Sequence, residues 1–122
     1  MDKALNAEDF RNRIGRDELT VAVFKADWCP DCRYLDLFFG EIEEAYRDRI
    51  TFLEVDRDAM LDELIELQVY GIPSFIAFRN GREIVRFVSK LRKTKPEIER
   101  FLDRAIEVDA ALNGSGGSGR TD

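Results

Sequence analysis

Histidine is missing altogether from this 122-residue chain. Its absence excludes Ser-His-Asp and Cys-His catalysis, haem held by a proximal histidine, and any zinc site built on imidazole. Cysteine is scarce: two residues are too few for a disulfide scaffold. No apolar run approaches the roughly 20 residues that a membrane-spanning helix needs. The opening Met1-Asp2-Lys3-Ala4 lacks the apolar core of a secretory signal, so a cytoplasmic location without membrane contact is expected. A net charge of -6 argues against broad nucleic-acid binding, which needs a dense positive surface.

What is present reads as a single globular domain. The chain has 44% hydrophobic and 36% charged residues, and its length fits one core. The domain is expected over residues 1–112. From Asn113 the composition turns to Gly and Ser, a stretch that cannot bury anything and is expected to be a disordered tail over 113–122.

Periodicity gives the element order. Asn6 suits the N-cap of a first helix carrying Phe10 and Ile14 on one face. Leu19 to Ala26 is a β-branched and aromatic run of strand length. From Cys32 through Leu35, Phe38, Phe39, Ile42, Ala45 and Tyr46, apolar residues recur at helical spacing, with Gly40 as a candidate bend. Ile50 to Val55 is a second strand. A helix over Met60 to Gln68 follows, with Asp56 or Asp58 as its cap. Ser74 to Phe78 is a third strand, and Asn80-Gly81 turns it into an antiparallel return over Glu83 to Val88. Thr94-Lys95-Pro96-Glu97 has the capping-box pattern for a closing helix. The sum is an α/β class: a four-stranded mixed sheet with helices on both faces.

The two cysteines, Cys29 and Cys32, are two residues apart at a strand-to-helix junction. Unpaired N–H groups and the positive end of a helix dipole favour thiolate there, and thiolate is the attacking species in disulfide exchange. Cys32, one turn further on, is close enough to attack a mixed disulfide formed on Cys29. Such a pair cycles between dithiol and disulfide without a metal or organic cofactor. The bland readings are two core cysteines or half a zinc site. Zinc takes about four ligands, which leaves only a metal bridging two copies of the chain. Trp28 reads either as a core aromatic or as the lip around the cysteines. Pro73 reads as a loop proline or, before a strand, as a cis bond at Ile72-Pro73.

Trp28-Cys29-Pro30-Asp31-Cys32, Gly71-Ile72-Pro73-Ser74 with Pro73 placed 44 residues after Cys29, and Asn80-Gly81 together resemble the thioredoxin family. The resemblance runs from about Lys3 to Leu112 and implies a thioredoxin-like fold. It implies an exposed nucleophile at Cys29 and a buried resolving thiol at Cys32. Trp28, Ile72, Pro73 and Ser89 would border the substrate groove, and Pro30 and Asp31 would tune the nucleophile. The implied activity is reduction of protein or small-molecule disulfides, with electrons returned by a reductase or a low-molecular-weight thiol, and the chain acting as a monomer. A peptide-binding module with little turnover is the competing reading.

The sequence also departs from the family pattern. Pro30-Asp31 stands for the usual Gly-Pro between the cysteines, and Val23 for a buried aspartate. Phe52 stands for that aspartate's lysine partner, Leu37 for a helix-kinking proline, and Ser89 for a glycine. With no such acid–base pair, Asp31, Asp27 or water would have to serve Cys32. Charge is uneven too: residues 54–66 hold six acids against Arg57, and residues 79–95 hold seven Lys or Arg against Glu83. Both runs read first as solvated faces, and secondly as partner steering through Lys90 and Arg92.

Overall fold

Alternation along three strands sorts the core into two halves. In β2 (Thr20–Lys25), Val21 and Val23 point to one face of the sheet, while Ala22 and Phe24 point to the other. In β4 (Ser74–Arg79), Phe75 and Ala77 face the first half, and Ile76 and Phe78 the second. In β3 (Thr51–Asp56), Phe52 faces the first, and Leu53 and Val55 the second. Both faces are therefore apolar and both must be covered. The computed structural model describes residues 1–113, and the Gly/Ser segment beyond Asn113 lies outside the described residues.

Five helices do the covering. On the first face lie α2 (Pro30–Asp36), α3 (Phe39–Tyr46) and α5 (Lys95–Asn113), through Leu35, Phe39, Ile42, Ile98, Phe101 and Leu102. On the second lie α1 (Ala7–Ile14) and α4 (Leu61–Glu66), through Phe10, Ile14 and Leu64. Phe75 sits in the middle of the first half, with ring centroids 6.1–6.4 Å from those of Phe39, Phe87 and Phe101. Such aromatic pairs contribute roughly 0.5–1.5 kcal/mol beyond the area they bury.

The sheet has five strands rather than four, in the order β1-β3-β2-β4-β5. The additional strand, β1 (Asp2–Lys3), is two exposed residues paired parallel with Leu53 and Glu54 of β3. A segment so short has no alternation of its own to betray it, and only its partner's free edge makes it a strand. β2 runs parallel to β3 and antiparallel to β4, and β5 (Arg82–Phe87) is antiparallel to β4, so the sheet is mixed. Asn80 and Gly81 both have positive φ, as a type I′ turn requires.

Other expectations needed correction. The apolar stretch from Cys32 to Tyr46 is two helices, broken at Leu37-Phe38 and not at Gly40, which lies inside α3. The amides of Leu37 and Phe38 reach back only three residues, to the carbonyls of Tyr34 and Leu35, and Phe38 then leaves helical geometry with φ -131°. This tightening ends α2 without a proline. The cap of α4 is Met60, with no side-chain bond. Asp56 instead accepts from the Ala59 amide, and Asp58 is engaged elsewhere. Asn113, read as the start of the tail, is the last residue of α5. The closing capping box forms: Glu97 Oε1 accepts from the Thr94 amide at 2.9 Å, and Thr94 Oγ1 from the Glu97 amide at 3.4 Å.

One backbone contact at the end of the sheet leaves no room for a side chain. A Cβ on Gly71 would lie 2.0 Å from the Ser89 carbonyl oxygen and 2.7 Å from Lys90 Cα, both backbone atoms that cannot swing aside. Gly71→Ala should therefore cost about 1–3 kcal/mol as an overpacked site, read as a lower urea midpoint at unchanged slope. A variant as stable as the parent would show that the two segments separate easily.

Candidate active site

Strand register brings three separate segments to one end of the sheet. Phe24, near the end of β2, pairs with Ser74 at the start of antiparallel β4. The chain entering β4 through Gly71, Ile72 and Pro73 therefore lies beyond the end of β2, where Cys29 follows. Phe75 in turn pairs with Phe87 at the end of β5, which delivers Val88 and Ser89 to the same place. The Ile72–Pro73 peptide is cis.

Cys29 is the N-cap of α2, and its sulfur accepts a hydrogen bond from the Cys32 amide at 3.1 Å. An N–H aimed at that sulfur is the donor an attacking thiolate needs. Pro30 fills the first helical position, where no amide bond is lost. The Cys29 thiol also lies 3.8 Å from the Ile72 carbonyl oxygen, its acceptor in the neutral form. Both cysteines are free thiols and pack with Ala26 and Ile72. Cys29 is not the exposed group that the family resemblance implies. It is 4% exposed and Cys32 1%, because Ile72 closes over the pair from the opposite loop. Burial, and then the hydrogen bond with the Cys29 sulfur, push the Cys32 thiol up to about 12. Cys32 is thus a protonated thiol at neutral pH.

Trp28 is a lip residue, 55% exposed. Its indole N–H donates to Asp58 at 2.7 Å, and the Arg57 guanidinium lies 5.6 Å from its ring centre. These two partners come from the turn after β3 and fix the ring beside a groove of about 330 Å³. Trp28, Ile65, Tyr70, Ile72 and Lys90 line that groove. Pro73 is buried behind it. Ser89 is half-buried and joins the site through its backbone against Gly71.

Val23 and Phe52 are both core residues, so neither position offers a charged group to Cys32. Asp31 is not free to serve it either: its carboxylate accepts from Arg92 Nε at 2.9 Å, and the same guanidinium stacks 4.3 Å over Tyr34. Asp31 therefore carries a compensated charge. Arg92, in a run read first as a solvated face and secondly as partner steering, is committed to this bridge. Three participants gave no local sequence signal. Lys25, at the end of β2, bonds Asp36 one turn after Cys32 at 2.5 Å. Asp58 holds Trp28. Lys93 is buried at the loop after β5. Spacing alone could have flagged Asp36, four residues after Cys32 on one helix face. Among the described residues no group of three or more His, Cys, Asp or Glu side chains could hold a metal.

The thioredoxin family model matches residues 2–104. Thioredoxin-1 of Schizosaccharomyces pombe is 31% identical over 83 residues, covering 68% of this chain and 80% of that protein. The mitochondrial thioredoxin-2 of the same yeast is 36% identical over 86 residues, covering 70% of this chain. Chloroplastic thioredoxin X of Arabidopsis thaliana is 28% identical over 102 residues. The matched part spans 64% and 56% of these last two proteins. Among solved structures, the thioredoxin of Trypanosoma brucei brucei superposes with a TM-score of 0.73 at 28% identity, covering 86% of this chain and 88% of that one. Since the likeness runs through nearly every described element, cysteine pair included, the chain belongs to the thioredoxin family.

Proposed function

We propose that the chain is a thiol–disulfide oxidoreductase that reduces disulfides of proteins or small molecules, working as a monomer in the cytoplasm. The observation that carries this is the pair of free thiols joined through the Cys32 amide at the start of α2. Cys29 thiolate attacks one sulfur of a substrate disulfide, forming the mixed disulfide and expelling the other sulfur as a thiolate. Cys32 loses its proton and attacks the Cys29 sulfur. The intramolecular disulfide forms and the second substrate sulfur leaves as thiolate. Two electrons have passed to the substrate, and a reductase or low-molecular-weight thiol returns them. Trp28, Ile72, Pro73 and Ser89 are the residues we assign to holding an extended substrate segment over the pair.

A second reading, a peptide-binding module with little turnover, draws on one observation: both cysteines are almost closed to solvent. Equilibration with a thiol buffer separates the two. A reversible Cys29–Cys32 couple with a potential near about -270 mV fits a reductant, and one near about -180 mV an isomerase or oxidant. Failure to form any reversible disulfide would leave only the binding module.

Cys32→Ser should accumulate mixed disulfides with substrate, seen as a mass increase that dithiothreitol removes. No such species in a lysate would count against the exchange mechanism. The high Cys32 pKa has a further consequence for stability. A thiol that titrates at about 12 when folded keeps its proton after the unfolded chain, near 8.5, has lost it. Folding stability is then full below about pH 8.5 and falls as pH rises toward 12. Reduced protein should accordingly lose more stability between pH 8 and 10 than Cys32→Ala does, and parallel curves would mean that Cys32 titrates normally.

A further inference from the structure

Lys93 is a buried cation that takes no part in the bond-making steps of the exchange cycle. It is 2% exposed, among the largest fully buried side chains of the protein. Its ammonium donates to the carbonyl oxygens of Ser89 at 2.9 Å and Leu91 at 2.7 Å, and lies 5.6 Å from the centre of the Phe87 ring. Carbonyl dipoles and an aromatic face solvate a cation, but they do not neutralise it. Among the described residues no carboxylate is within salt-bridge distance of Lys93. The carboxylates that face it are engaged elsewhere: Asp31 with Arg92, and Glu97 in the capping box of α5. An ammonium buried without a counter-ion is costly, and it ordinarily needs a partner.

The remaining groups whose negative charge acts on Lys93 are the two sulfurs, once either is ionised. Burial holds its ammonium below the ordinary lysine range, while Asp31, Glu97, Cys32 and Cys29 act to keep it charged. The carbonyl it holds at Ser89 is also the one that lies against Gly71, the residue before Ile72. Lys93 therefore meets the site through backbone, at the carbonyl that packs against Gly71.

We propose that Lys93 is a positioning residue of the redox site: its buried, unpaired ammonium pins the Ser89–Leu91 loop and supplies the fixed positive charge that stabilises the thiolate of the Cys29/Cys32 pair. The lysine keeps its proton throughout, and the proton leaving each thiol goes to solvent. Its role is electrostatic only, at a site where Val23 and Phe52 are core residues and offer no charge. The inference rests on the oxidoreductase reading.

The test is Lys93→Met in the full chain, equilibrated beside the parent against reduced and oxidised glutathione. Losing a charge that favours thiolate weakens the dithiol relative to the disulfide, so the variant should be the stronger reductant. The expected change in the equilibrium constant is several-fold to tenfold, and tenfold corresponds to a potential about 30 mV more negative. A folded variant whose constant lies within twofold of the parent, or moves the other way, overturns the proposal; a purely structural pin would move the melting temperature alone. If Lys93→Met does not fold, nitrogen NMR of the parent's lysine ammonium groups decides. The Lys93 signal should titrate with the thiols in the reduced form and lose that inflection in the disulfide form. Identical pH curves in both forms overturn it. A parent that forms no reversible disulfide overturns the oxidoreductase reading as well, whereas a normal parent with an unchanged variant overturns this inference alone.

Discussion

The contact on which the site depends is backbone on backbone: Gly71 lying against Ser89 and Lys90 with no space for a methyl group. It is possible because β4 is shared. One strand pairs antiparallel with β2 through Phe24 and Ser74, and antiparallel with β5 through Phe75 and Phe87. Those two registers fix where the chain enters β4 and where it leaves β5. Both points fall at the end of β2 that carries the cysteines. A slip of one residue would turn Phe75 out of the aromatic cluster and onto the other face, so the register is held by the core. The position of the reactive sulfurs is thus set by packing some distance behind them.

Charge is distributed by the same logic. The seven cations between Arg79 and Lys95 look like a basic face, yet most are consumed within the fold. Arg79 makes a two-pronged pair with Asp109 and reaches Asp17, Arg86 pairs with Glu83, and Lys95 with Glu41. Arg92 bridges to Asp31 across the active-site rim, and Lys93 is buried. Lys90 is the member of the run that lines the groove. A steering role for this segment therefore narrows to Lys90, because the guanidinium of Arg92 is already held by a carboxylate and an aromatic ring. The more exposed of these pairs, Arg86–Glu83 and Lys95–Glu41, contribute little stability, commonly under about 1 kcal/mol. The effect of the whole set is to decide which charges remain available at the site.

The departures from the family pattern have a common physical theme. Val23 and Phe52 are core residues where the resemblance implies a polar pair, and burial raises the Cys32 thiol. Leu37 replaces a proline, but the helix still breaks there, because the last turn of α2 tightens onto three-residue bonds. Asp31 brings a negative charge next to the nucleophile, and Arg92 supplies its counter-charge. Of these changes, the one at Asp31 is answered from another part of the chain, and the one at Leu37 by the last turn of α2 itself.

Sequence alone determined the elements whose signal is local. The alternation of β2 and β4, the Asn80-Gly81 turn, the Thr94–Glu97 capping box and the Cys29-Pro30-Asp31-Cys32 junction are properties of a few neighbouring residues, and each forms where its pattern lies. The two-residue β1 and the break at Leu37-Phe38 were not legible, since neither has a pattern of its own within the chain segment that forms it. At the site, the identity of the cysteines was readable and their surroundings were not. The Asp31–Arg92 bridge joins residues 61 apart, the Trp28–Asp58 bond residues 30 apart, and no periodicity connects either pair. Burial of Cys29 and Lys93 likewise belongs to the folded molecule. A lysine in a run of lysines and arginines reads as solvated, and only the closing of the Ser89–Leu91 loop over its ammonium puts it inside. Local propensity acts between neighbours, while hydrogen-bond partners, burial and the electrostatics of a thiol depend on what the sheet brings alongside.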